Sequence, residues 1–193
     1  MLGFLQMGLV EQNAIAGSIL FLRYFDLNEK QVLGFNEFLV AFEKESARGC
    51  AVLTLCVLED ALRDLMARRM PLASESMHRN LAPPGRLDFS IENAYLIGVL
   101  SKTEMHDFKY LVKIRNQFAH NAMLSISFDD ARIASFVGNL EFPKKVEHPY
   151  EGDNRTIFAL SATMLYFALI NRINDLERIS VAEEIVMLAE MVS

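Results

Sequence analysis

The strongest constraint on the fold of this chain is a helical apolar periodicity that runs from Gln31 to about Met70. Phe35, Phe38, Leu39 and Phe42 recur at helix spacing, while Asn36, Glu37, Glu43 and Lys44 face away. Cys50–Leu58, CAVLTLCVL, is apolar nearly all round, as the central helix of a core is. Leu62, Leu65 and Met66 continue one face, Arg63, Asp64, Arg68 and Arg69 take the other, and Pro71 ends the pattern. Gly49 marks a candidate kink or close helix crossing. No later segment alternates like a strand for long, and no internal repeat is visible. The expected fold is all-α, a single-domain helical bundle of about six to eight helices.

The rest of the chain reads the same way. Residues 71–89 form the longest loop, with Pro83-Pro84-Gly85 as a breaker cluster. It carries His78, Arg79 and Arg86, and is either a plain linker or a cover over a site. Ser90–Leu100 makes a short helix with Ile91, Ala94, Tyr95 and Val99 on its apolar side. Ser101-Lys-Thr-Glu104 is a capping box, so a new helix starts at Lys102. Asp129 or Ser127 caps a helix to about Leu140, Pro143 and Pro149 bound a second loop, and Asp153 or Asn154 caps a long helix through Phe167 and Ile170. Ser180 interrupts it before Val181–Val192. Residues 1–30 are expected to be a helical extension, and residues 31–193 the main domain. Residues 1–25 lack the positive n-region of a signal peptide, and their longest clean apolar run, Ala14–Leu22, is far short of the roughly 20 residues of a membrane span. The expectation is a cytoplasmic protein with no membrane segment.

Composition narrows the function classes. A net charge of −6 argues against a surface devoted to nucleic acid, because phosphate neutralisation supplies most of that affinity. The 52% hydrophobic content allows for a covered interface, and a homodimer is expected. Cys50 and Cys56 have neither CxxC nor zinc spacing and read as buried free thiols. His78, His106 and His148 lie in different segments without metal-ligand spacing, so no metal is expected. No Gly-rich phosphate loop or GxSxG is present, and no cofactor is expected.

Chemistry concentrates in Lys109–His120, KYLVKIRNQFAH. Arg115 supplies a permanent positive fork for phosphate or carboxylate, and His120 exchanges protons near neutral pH. Together they are candidates for cleaving RNA without a metal, His moving protons and Arg steadying the charged phosphorus. Five residues of separation place them about 140° apart on an ideal helix. They converge only where the helix ends or distorts near Phe118, or where two subunits pair their motifs. Asn116 and His120 share a face with Lys109 and Lys113, so the candidate binding residues are Lys109, Lys113, Arg115, Asn116 and His120. The competing structural reading pairs Arg115 with Glu59 or Asp60 in a buried ion pair and leaves His120 as a C-terminal residue favoured by the helix dipole. A helix-turn-helix over Ile91–Asn121 is disfavoured, because Glu104 and Asp107 near the start of its second helix would repel phosphates.

Two long segments, FNEFLVAFEKESARGCAVLTLCVLEDALRDLM and FSIENAYLIGVLSKTEMHDFKYLVKIRNQFAH, resemble the mannitol operon repressor family of bacterial proteins. The resemblance covers roughly residues 35–140, with Ala94–Ser101 and Ile114–His120 its most specific segments. It implies an all-helical transcriptional regulator without a recognised DNA-binding motif, repressing through a protein partner or through DNA contact by an unusual surface. The Arg-Asn-x-x-x-His pattern also looks like the RNA-cleaving motif of the HEPN superfamily, helical bundles found in toxins and abortive-infection systems. Carried over, Arg115 and His120 would be the catalytic pair and Asn116 the polar residue after the Arg. The first expectation is therefore a non-enzymatic repressor, for example of sugar-alcohol uptake genes, and the alternative a metal-independent endoribonuclease acting on RNA.

Overall fold

A computed structural model of the chain describes residues 42, 44–120, 125–145 and 152–175. The expected extension at 1–30, His148, Pro149 and the segment around Ser180–Val192 lie outside the described residues. The described residues form six α-helices and no strand: α1 (Ala47–Arg69), α2 (Glu75–Leu81), α3 (Leu87–Leu96), α4 (Lys102–His120), α5 (Ala131–Val137) and α6 (Asn154–Asp175), with a 3-10 turn at Phe142–Lys144. The all-α expectation holds.

Helix α1 packs against α4 and α6, and α4 also touches α3 and α5, so α4 sits in the middle. Phe108, Leu111, Ile114 and Phe118 are its fully buried face. Each such side chain contributes about 1.5–3 kcal/mol by leaving water. Rings then stack across the core from Phe118 to Phe128 (5.0 Å), on to Phe158 (5.1 Å) and to Phe42 (6.5 Å). Arg155 at the start of α6 secures the far end of this row. Its guanidinium lies over the Phe42 ring and donates to the Phe42 and Glu45 carbonyls at 2.7 and 2.8 Å. It also donates to the Cys50 sulfur, whose thiol is pushed up by burial against the opposing pull of that cation. Helix α6 is long and apolar enough to cross a membrane, yet Phe158, Ser161, Leu165 and Leu169 along it are buried in the bundle.

Several expectations are corrected. Within the Gln31–Met70 periodicity a helix starts at Ala47, with the Ser46 hydroxyl accepting from the Gly49 amide at 3.0 Å, and residues 31–41 lie outside the described residues. Gly49 thus lies in a first turn rather than at a kink. Cys50–Leu58 is not buried all round: Val52, Leu53 and Val57 face outward, and Cys56 is an exposed thiol. Residues 71–89 are not one loop. Ser74 caps α2, its hydroxyl accepting from the Met77 amide at 3.3 Å, and α3 begins at Leu87. The short helix expected to end near Leu100 stops at Leu96, leaving Tyr95 exposed, and α5 stops at Val137 rather than Leu140. Asp153 caps α6 as expected, through Thr156 N–H at 3.0 Å and the Thr156 hydroxyl at 2.8 Å.

Two buried acids on α4 fix its neighbours. Asp107 is wholly buried, and its carboxylate accepts from the Glu141 amide (2.8 and 3.0 Å), the Phe142 amide (2.8 Å) and the Ser161 hydroxyl (3.1 Å), with His106 Nδ1 at 3.1 Å. One charge therefore caps the 3-10 turn and ties it to α4 and α6. Three turns of chain earlier, α3 ends in a paired stop. Gly98, at φ +74°, donates to Tyr95 O (3.1 Å), and Val99 donates to Ala94 O (2.9 Å), the hydrogen-bond pattern of a Schellman cap. The capping box follows as read from sequence: Ser101 N–H donates to Glu104 Oε2 at 2.5 Å, and Glu104 N–H to the Ser101 hydroxyl at 3.3 Å. Arg172 of α6 clamps both devices, donating to Glu104 Oε1 and Oε2 at 2.7 and 2.9 Å and to the Val99 carbonyl at 2.7 Å. Burial alone would raise the Glu104 carboxyl, but the hydrogen bonds from Arg172 and the Ser101 amide outweigh it and hold the group below the usual range.

Asp107→Asn replaces one accepting oxygen with a donor facing two amides, and is expected to cost about 2–3 kcal/mol in urea unfolding at an unchanged m-value. Because the folded-state pKa of Glu104 is depressed, its stabilisation is complete above the unfolded value of 4.5 and is lost as pH falls through the lower folded value. Thermal melts between neutral pH and about pH 3 should show the wild type losing this increment and Glu104→Gln lacking it. Arg172→Met, which strands the buried Glu104, should be destabilised at neutral pH by about 3 kcal/mol.

Candidate functional site

The candidate residues all lie on α4, which is helical without interruption from Lys102 through His120. Its helical conformation runs through Phe118, which is wholly buried against Phe128, to His120. Arg115 and His120 therefore leave the axis about 140° apart, as straight-helix geometry requires. Arg115 is half-buried, its Nε shielded from solvent without a hydrogen-bond partner, whereas His120 is exposed in the last turn. Within one chain they are not brought together.

The ion pair expected between Arg115 and Glu59 or Asp60 is not made. Both acids are taken by Arg63 one turn along their own helix, Glu59 at 2.5 Å and Asp60 at 3.4 Å. Among the described residues no ion pair joins Arg115.

The other four candidates share one side of the helix. Taking about 100° per residue, Lys109, Lys113, Asn116 and His120 fall within roughly 60° of one line, and Arg115 points away from it. Lys109 is paired with Glu92 of α3 at 2.7 Å. Lys113 is exposed and stands 4.0 Å above the Tyr110 ring and 5.9 Å from that of Phe136 on α5. The His106 and Tyr110 rings are 4.8 Å apart, Tyr110 and Phe136 meet edge-on at 6.1 Å, and Arg132 lies 5.9 Å over Phe136. At the first turn Lys145 reaches over to the Thr103 hydroxyl at 2.7 Å. This face is thus a ladder of cations interleaved with aromatic rings. Sequence reading missed Tyr110, Phe136, Arg132 and Lys145; the i, i+3 spacing of Tyr110 and Lys113 was legible, but the contribution of α5 was not.

This arrangement offers cations and rings on one face rather than a paired acid and base. An exposed imidazole without a positioned partner, and a guanidinium facing elsewhere, do not make an acid–base pair on one bond. Among the described residues no cluster of His, Cys, Asp and Glu could hold a metal ion. The 71–89 region does border a recess of about 520 Å3 between α2 and the end of α1, lined by Met66, Met70, His78, Leu81 and Pro84, but none of the α4 candidates reaches it. His78 is turned to the Met70 carbonyl at 2.9 Å and Arg79 to Glu75 at 3.2 Å, so both serve the packing of α2.

No protein-family model matches the chain, and no curated protein matches it either. Among solved structures, the fold is similar to that of a chain from the X-ray structure of the MtlR–HPr complex from Escherichia coli, with a TM-score of 0.54 and 18% identity over 69% of this chain and 96% of that one. The likeness shows a mannitol repressor-like, all-helical fold.

Proposed function

We propose that this chain is a non-enzymatic regulator of the mannitol repressor type, cytoplasmic, that acts through a protein partner. The observation that carries the reading is the divergence of Arg115 and His120 along an unbroken α4. The paired acid–base chemistry of the ribonuclease alternative needs those two groups on one phosphodiester, and only a second subunit would supply that. The acidic balance, a net charge of −6, and the burial of Glu104 and Asp107 at the start of α4 add a further point. The second helix of the disfavoured helix-turn-helix spends its first turns on internal capping, which takes those residues out of any groove contact. The fold likeness is consistent with partner-mediated action, since the similar protein was solved bound to HPr.

Wild-type protein and His120→Ala, incubated with single-stranded RNA, are expected to leave it intact alike. Cleavage by the wild type that disappears in His120→Ala would overturn the regulator reading. In a gel shift at physiological salt, the pure protein is expected not to retard its own promoter fragment; a shift would replace the partner by direct DNA contact.

A further inference from the structure

We infer that the outer face of α4, with the adjoining edge of α5, is a docking surface for an acidic, helical segment of a protein partner. The inference rests on the partner-mediated reading above and adds the place and chemistry of the contact.

Its basis is a set of cations without an ion-pair partner. In a chain of net charge −6, Lys102, Lys113, Arg132 and Lys145 all border this face, and among the described residues none has a carboxylate in ion-pair contact. Of the acids nearby, Asp107 is buried and accepts from Glu141, Phe142 and Ser161, Glu141 holds Lys144 at 3.2 Å and Glu92 holds Lys109; Asp130 and Asp129 accept from neutral groups, the Ser127 amide at 2.6 Å and Asn154 at 3.0 Å, and keep their charge at the start of α5. Elsewhere the pattern is the opposite. On α1 and α2, Arg63, Arg68 and Arg79 are each matched with an acid four residues earlier. The bundle neutralises those arginines locally, whereas Lys102, Lys113, Arg132 and Lys145 on the α4–α5 side make no such pair among the described residues.

Spacing sets the form of the occupant. Lys102 and Lys113 stand about 16 Å apart along one side of α4, at 1.5 Å per residue, with Lys109, already paired with Glu92, between them. A partner helix with carboxylates at i, i+4, i+7 and i+11 presents the same interval, and side chains between them would rest on the half-buried Tyr110 and Phe136 rings. A nucleic acid fits less well. Base stacking needs an open aromatic face, but Tyr110 already carries Lys113 at 4.0 Å and lies 4.8 Å from His106, while Phe136 has Arg132 and Lys113 near its ring. The overall negative charge also opposes the approach of a long polyanion more than that of a local acidic patch.

The test uses the full chain and a fluorescein-labelled synthetic helix of about twenty residues with Glu at those spacings. A peptide of identical composition with the Glu residues scrambled out of register, and a uridine oligonucleotide of similar charge, run beside it. Anisotropy at physiological salt should show the patterned peptide binding more tightly than either. Lys113→Glu combined with Arg132→Glu should weaken it at least about tenfold, as reversal of close charge pairs does, and Lys44→Glu, an exposed control, should leave it unchanged. Equal binding of the scrambled peptide, indifference to the double reversal, or stronger binding of the oligonucleotide would each overturn the inference. The assay is independent of RNA cleavage: His120-dependent cleavage sinks the regulator reading, whereas failure here sinks only the proposed surface.

Discussion

A single carboxylate, that of Asp107, holds the centre of this bundle in register. A buried charge is tolerated only when its lone pairs are filled, and here two amides and a hydroxyl fill them from segments that are distant in sequence. The geometry leaves little latitude. The 3-10 turn must present Glu141 and Phe142 together, and α6 must place Ser161 alongside, or the charge is stranded. Apolar packing supplies most of the cohesion, but it is indifferent to direction; the carboxylate selects one arrangement of α4, the turn and α6.

Glu104 plays the complementary part at the other side of the same helix. It closes the capping box with Ser101 and receives Arg172, which in turn reaches the Val99 carbonyl released by the end of α3. The α3–α4 corner is thus a backbone-defined stop and start sealed by one guanidinium. Ala94–Ser101 coincides with this corner, and its residues have structural roles: Gly98 takes a positive φ, Val99 and Leu100 are buried, and Ser101 makes the cap.

Much of this was legible from residue order, and the remainder failed for identifiable reasons. The capping box, the start of α4 at Lys102 and the Asp153 cap of α6 were readable because they depend on neighbours three residues away. The apolar run of α1 was misread because composition cannot tell a buried face from an outward one, and Val52, Leu53, Cys56 and Val57 are on the outside. Arg115 was assigned to Glu59 or Asp60 across helices, when Arg63 stood closer on the same helix. Asp107 looked like an exposed acid at a helix start, and only the return of residues 141–161 revealed it as an internal cap. The candidate site split for a similar reason: the helix period placed Lys109, Lys113, Asn116 and His120 correctly, while the rings and cations contributed by α5 had no sequence-local signal.

The Arg172 clamp also shapes the order in which the chain assembles. The Schellman stop and the capping box form between residues no more than five apart and can appear within one helical hairpin, whereas Arg172 reaches Glu104 across 68 residues and Val99 across 73. Arg155 spans 113 residues to Phe42. Both ends of α6 are thus bound by contacts of high sequence separation, whose loop-closure entropy favours late formation. The α3–α4 corner belongs with the early, local part of folding and α6 with its completion. Loosening the Arg172 clamp would then shorten the lifetime of the folded state far more than it slows its formation.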